Sequence, residues 1–219
     1  MLDALKALFD FILHIDHHLA RIIAAYGAWT YGILFAIIFV ETGLVVMPFL
    51  PGDSLLFAAG AFCARPETGL NIHLLTLLLW IAGVLGDSLN YAIGARLGPA
   101  VFSRPDSRLL RRAHLERAQT FFLYYGGRAI LLARFVPVVR TFVPFVAGVG
   151  RMPYPRFLAF NILGGFIWIY AFTYLGFAFG NQPIVQKNFK LVILGIIALS
   201  IMPIVIEFIR ARRRPATSA

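Results

Sequence analysis

Residues 31–64 read YGILFAIIFVETGLVVMPFLPGDSLLFAAGAFCA, and this stretch decides the fold. From Tyr31 to Leu50 it is almost wholly apolar, yet it carries Glu41, and Asp53 closes the tight turn that runs from Met47 through Pro48, Pro51 and Gly52. Proline lacks a backbone donor and breaks a helix interior, so the chain is expected to turn where a straight span would continue. The arm that follows, Leu55 to Ala64, is too short to cross a hydrocarbon layer of about 30 Å, which takes about 20 residues. It reads as the return arm of a hairpin. An ionised side chain at that depth costs on the order of 3 kcal/mol by insertion scales, so Glu41 and Asp53 are expected to face a cavity, a partner or a transported ion.

Composition agrees with a membrane setting. The chain has 219 residues, of which 60% are hydrophobic and only 14% charged, with 21 Phe. Its mean hydropathy is +0.80, the signature of an integral membrane protein rather than a soluble domain. A net charge of +10 arises from 20 Lys and Arg against 10 acids, with the basic excess concentrated in Arg96 to Arg128 and Arg210 to Arg214. Such clusters read as cytoplasmic loops lying on anionic lipid, and not as a nucleic-acid surface. Cys63 is alone, which excludes an internal disulfide and a cysteine-based metal site.

Further apolar segments lie at Trp29 to Val46, Ile72 to Ala95, Phe121 to Gly150, Phe157 to Gly180 and Leu191 to Ile209. The fourth of the six candidate segments, Phe121 to Gly150, carries Arg134, Pro137, Arg140 and Pro144, so it too is expected to be broken and re-entrant. If both Arg-rich regions are cytoplasmic, an even number of crossings separates Arg128 from Arg210, which requires this segment to leave on the side it entered. Irregular backbone at that depth is tolerated only inside protein or along a wet cavity. Each half thus follows one plan, a proline-broken hairpin ending in Ala59-Gly60 or Ala147-Gly148 and then a glycine-containing span. Paired interrupted segments of this kind point to an inverted-repeat transporter with its site near the midplane. The expected architecture is an all-α polytopic membrane protein, an inverted repeat with two opposed re-entrant hairpins and transmembrane helices. Residues 1–28 form an interfacial amphipathic helix and 29–182 a membrane core with hairpins near 41–64 and 129–150. A C-terminal span at 183–210 and a basic cytoplasmic tail at 211–219 complete it.

Five ionisable residues stand out in the apolar parts: Glu41, Asp53, Asp87, Arg134 and Arg140. The planar guanidinium forks of Arg134 and Arg140 suit phosphate or carboxylate, so they are assigned to substrate binding. Glu41 and Asp53 can gain or lose a proton, and are assigned to proton coupling. The same four charges would also serve as structural ion pairs pinning the hairpins together. Ala82, Gly86, Asn90 and Gly94 recur every four residues as a close-packing face, and Gly164-Gly165 with Gly176 and Gly180 are expected to act alike. Asp87 and Tyr91, one turn apart, are expected to share a hydrogen bond and to play a secondary role, as do Pro48, Pro51, Gly52, Pro137 and Pro144. His14 and His18 lie one turn apart but read as a solvated interfacial face, so no metal and no cofactor is expected.

The motifs Glu41-Thr42-Gly43, Phe49-Leu50-Pro51-Gly52-Asp53-Ser54, Gly86-Asp87-Ser88-Leu89-Asn90-Tyr91 and Ala133-Arg134 through Arg140-Thr141 to Pro144 resemble the DedA family, also called the SNARE-associated or VTT family, of bacterial inner-membrane proteins. The resemblance implies opposed re-entrant hairpins, dependence on protons or membrane potential, and lipid translocation, with undecaprenyl phosphate or a phospholipid as cargo. It sets the family's functional acids on Glu41 and Asp53 and its functional arginines on Arg134 and Arg140. The expected function is therefore a lipid translocase, not an enzyme, of the bacterial inner membrane with a cytoplasmic C-terminus. Its expected partners are a phosphate-bearing lipid, protons and anionic lipid at the Arg clusters, and it is compatible with a homo-oligomer. A proton-coupled exporter of small molecules or cations is the alternative, and a membrane lipid phosphatase a weaker one, because the Pro51-Gly52-Asp53-Ser54 turn has no adjoining arginine.

Overall fold

A computed structural model describes residues 15–44, 52–103, 126–134, 137–180, 182–189, 191–196 and 198. Among these residues every regular element is a helix and none is a strand. In chain order they are α1 (Ile15–Tyr26), α2 (Trp29–Gly43), α3 (Gly52–Cys63), a 3₁₀ turn (Pro66–Thr68), α4 (Ile72–Ser103), α5 (Arg128–Ala133), α6 (Pro137–Val149), α7 (Tyr154–Phe179) and α8 (Pro183–Lys187). The expected turn at Pro48 and Pro51, the start of the N-terminal helix with His14, most of the expected C-terminal span and the basic tail lie outside the described residues.

Among the described residues two helices are long and apolar enough to cross a membrane, Ile72–Leu97 within α4 and Tyr154–Phe179, each of 26 residues. At about 1.5 Å rise per residue, either exceeds a hydrocarbon core of about 30 Å. Asn71 starts α4 by accepting the His73 and Leu74 N–H groups on its side-chain oxygen at 2.9 and 3.1 Å, a helix cap written in the sequence. The faces of these helices are inverted relative to a water-soluble protein. On α4 the exposed stripe is Leu74, Leu77, Ile81, Leu85 and Leu89, while Thr76, Asp87 and Asn90 are buried. On α7 Leu163, Phe166 and Ile167 are exposed, and Asn161 and Thr173 are buried. Apolar outside and polar inside is the arrangement that hydrocarbon selects.

The short helices pack along these two. α2 and α6 lie on α4, while α3 and α5 lie on α7, so each broken segment sends one arm to each long helix. The close contacts depend on glycine. A Cβ on Gly60 of α3 would strike the Thr173 carbonyl, and one on Gly176 of α7 would strike that of Phe57. Likewise Gly148 of α6 abuts the Tyr91 carbonyl and Gly94 of α4 that of Phe145. Backbones meet without side chains between them, as membrane helices do where packing rather than hydrophobicity drives association. The Ala-Gly pairs read from the sequence are thus the contact points of both short helices.

The long helices run antiparallel, joined by Thr76 to Thr173 at 3.1 Å, His73 to Tyr174 at 2.7 Å and Trp80 Nε1 to the Ile162 carbonyl at 3.0 Å. At one end the Tyr31 hydroxyl accepts the Asn71 N–H at 2.7 Å, which brings the start of α2 beside the start of α4. At the other, Ile130 of α5 clusters with Val143, Ala147, Met152 and Phe157, so the start of α5, the end of α6 and the start of α7 gather together. The two broken segments therefore open toward opposite ends of the α4/α7 pair.

Two expectations need correction. The second break falls between Ala133 and Pro137, and Pro144 does not break the chain but lies inside α6. Proline is tolerated in the first helical turn, which is where Pro137 stands; Pro144 merely removes the N–H that would have bonded the Arg140 carbonyl. Asp87 and Tyr91 share no bond: the Tyr91 hydroxyl donates to the Met152 carbonyl, and Asp87 turns to Arg134. Gly164 and Gly165 pack closely as expected, Gly164 against the α5 backbone at Leu131 and the Arg134 side chain, and Gly165 against Trp80 of α4 and Arg134.

Candidate functional site

The described residues that flank the two breaks meet near the middle of α4 and α7. Arg140, in the first turns of α6, donates from Nη1 to Asp53 Oδ1 at 2.9 Å and from Nη2 to Glu41 Oε1. Asp53 stands in the first turn of α3, and Glu41 ends α2 opposite it. Glu41 Oε1 also accepts the Gly52 N–H at 3.2 Å, so its carboxylate caps the N-terminus of α3, where free N–H groups and the helix dipole favour negative charge. Gly52 is required there. A Cβ on it would lie within 2.8 Å of the Glu41 carboxyl carbon.

Arg134 forms a second group. Its Nη2 donates to Asp87 Oδ2 of α4 and to Asn161 Oδ1 of α7, while Asn161 Nδ2 donates to the Val84 carbonyl at 3.0 Å. Trp168 of α7 links the two groups. Its indole N–H donates to Asp53 Oδ1 at 2.7 Å, and its ring lies 4.6 Å from the Arg140 guanidinium and 5.8 Å from that of Arg134. Both distances are within cation–π range. Asn90 ties the arms, donating to the Thr42 carbonyl at 3.2 Å and the Thr141 carbonyl at 2.8 Å. These groups surround a cavity of about 10 Å³ lined by Thr42, Asp87, Arg134, Arg140, Thr141 and Trp168. That is room for a single water and not for a lipid head group, so the site is described in a closed arrangement.

All of the charges are withdrawn from solvent: side-chain exposure is 1% for Glu41, 6% for Arg134, 8% for Asp87, 10% for Arg140 and 13% for Asp53. The four charges expected to form the site converge, but not as a mutual quartet. Arg140 takes both expected acids, and Arg134 is held by Asp87, for which the sequence suggests a secondary role beside Tyr91. Asn161 and Trp168 escaped the sequence reading altogether. A signal existed: Asn161 is a polar residue in an apolar span, and Trp168 follows it two turns later on the same face. Among the described residues no group of three His, Cys, Asp or Glu could hold a metal ion.

Fold and site together define a helical membrane protein with a buried cluster of acids and arginines between its two long helices. The chain belongs to the DedA family: the VTT domain matches residues 50–178, a stretch that contains Asp53, Asp87, Arg134, Arg140 and Trp168. It is 53% identical over 218 residues to the protein DedA of Escherichia coli, covering all of both chains. The E. coli inner membrane protein YghB is 35% identical over 189 residues, which is 85% of this chain and 82% of the relative. The E. coli inner membrane protein YqjA is 36% identical over 157 residues, 72% of this chain and 70% of the relative. No solved structure matches.

Proposed function

We propose that the chain is a translocase, not an enzyme, for a phosphate-bearing lipid, undecaprenyl phosphate or a phospholipid, in the bacterial inner membrane. In this reading the α2/α3 and α5/α6 segments are opposed re-entrant hairpins of an inverted repeat, and the C-terminus is cytoplasmic. Their openings toward opposite ends of the α4/α7 pair support it. Arg134 and Arg140 hold the head-group phosphate in the cavity between the long helices while the tail stays in lipid. Glu41 and Asp53 are the proton-sensitive side: the proton that completes the neutralisation of this pair releases Arg140 to the anion, and its loss lets the pair reclaim Arg140. A charge carried across the full potential gains about 2.3 kcal/mol per 100 mV.

One observation carries the reading. Two arginines, with side chains 6% and 10% exposed, line one cavity between the long helices and are paired with carboxylates that an anion can replace. A cation exporter would use the same acids but leaves both guanidinium groups without a ligand. The test is lipid flipping in reconstituted vesicles, comparing undecaprenyl phosphate with phosphatidylethanolamine, with and without a proton gradient. Arg134→Ala and Glu41→Gln are each expected to abolish flipping while the protein stays folded. Full activity in either variant would sink the mechanism.

A further inference from the structure

We propose that Asp87 is a third acid of this exchange: it occupies the donor face of Arg134 in the closed site, and a phosphate monoester enters only by displacing it, with protons taken up from solution. This rests on the anion-binding reading above and adds to it a residue and a stoichiometry.

The first argument is charge. Among the described residues the buried cluster contains three acids, Glu41, Asp53 and Asp87, and two arginines, Arg134 and Arg140. Fully ionised, it carries one negative charge too many. An uncompensated charge in a low-dielectric interior is strongly disfavoured, so the closed cluster holds one proton. Glu41 offers the place for it. Oε1 accepts two hydrogen bonds, from Arg140 and from the Gly52 N–H, whereas Oε2 is buried without a partner. That is the pattern of a neutral carboxyl whose Oε1 is the carbonyl oxygen. The charged groups facing Glu41 are Arg140 of α6, Asp53 of α3 and Asp87 of α4, with Arg134 beyond Asp87. Asp53 and Asp87 then remain as the carboxylates of Arg140 and Arg134, and the sum is zero.

The second argument is space and donor supply. The cavity takes no more than a water, and Arg134 Nη2 already donates to both Asp87 and Asn161, while its Nε is buried without a hydrogen-bond partner. Asn161 is neutral and can share Arg134 with an incoming phosphate. Asp87 cannot, because two anions would then compete for one guanidinium in low dielectric. The same holds for Asp53 at Arg140. A phosphate monoester carries about −1.5 to −2 at neutral pH, so a neutral closed cluster admits it with uptake of about two protons, one on Asp53 and one on Asp87. On release both protons return to water, and the carboxylates take back their arginines.

The experiment uses the full chain in detergent micelles with hexyl phosphate as the probe. Binding is measured by calorimetry at about pH 8, where the probe is a dianion, and proton uptake by a pH dye in weak buffer. Wild type is expected to take up about two protons per phosphate and Asp53→Asn/Asp87→Asn about one, because Glu41 alone can then accept. Asp87→Asn removes the competitor for Arg134 and is expected to bind the probe about tenfold more tightly than wild type. Binding no tighter than wild type, in a folded Asp87→Asn variant, overturns the role of Asp87 and leaves the anion reading standing. Absence of binding in every variant at every pH overturns both. Should Asp87→Asn not be recovered folded, the wild-type count decides, and about one proton or fewer per phosphate overturns the proposal.

Discussion

The helices α3 and α6 are built alike and charged oppositely. Each is too short to span, each packs on a long helix through an Ala-Gly pair, and each begins at the buried centre. The first brings Asp53, with Glu41 capping its N-terminus, and the second brings Arg140. The difference teaches that position and affinity have been assigned to different residues. Glycine contacts set where these helices lie, and the charges set what holds them together once there.

The largest effect should come from breaking the likeness. Gly148→Val drives a Cβ into the Tyr91 carbonyl and Gly60→Val drives one into that of Thr173. Overpacking a core costs about 1–3 kcal/mol, and more when the obstacle is backbone, so both variants are expected to lose folded protein on size-exclusion chromatography. A monodisperse Gly148→Val protein beside an aggregated Gly60→Val one would show that the two contacts are not equivalent.

Next comes the charge itself. Arg140→Ala strands Asp53 and removes a donor from Glu41, and breaking a buried pair from one side costs about 3–5 kcal/mol. Arg134→Ala strands only Asp87. Thermal melts in detergent should therefore rank Arg140→Ala below Arg134→Ala, and adding Asp53→Asn to the former should restore part of the loss. The reverse ranking would move the weight of the cluster to Asp87.

The smallest effect is expected at the residue that bridges the two groups. Trp168→Phe keeps a π face for both guanidinium groups and loses the N–H to Asp53, a change of about 1 kcal/mol. Trp168→Leu forfeits the ring as well, adding about 0.5–2 kcal/mol. Equal melting temperatures for the two variants would assign the whole contribution to the hydrogen bond.

Local features were legible in the sequence and tertiary choices were not. The spans of α4 and α7 follow from apolar runs, the short arm of α3 from the run at Leu55 to Ala64, although the helix already starts at Gly52, and the close contacts from Ala59-Gly60 and Ala147-Gly148. Pro144 misled because proline disfavours a helix interior without forbidding it, and α6 loses one backbone bond to keep it. The partner of Asp87 could not be read, since Arg134 is remote in sequence while Tyr91 lies one turn away. Trp168 was hidden for another reason. An aromatic residue among aromatic residues carries no mark of its role until its N–H is seen to point at a carboxylate.

The division of arms between the long helices has a kinetic meaning. Glu41, Asp87 and Arg140 travel with α4, and Asp53, Arg134 and Trp168 with α7, so two salt bridges, Arg140 to Asp53 and Arg134 to Asp87, span the same seam. They act in parallel, like two bolts on one door. Drawing one leaves the other fastened, so in the proposed translocase the seam opens only when Arg134 and Arg140 both change partners, and an anion able to satisfy one arginine alone does not open it.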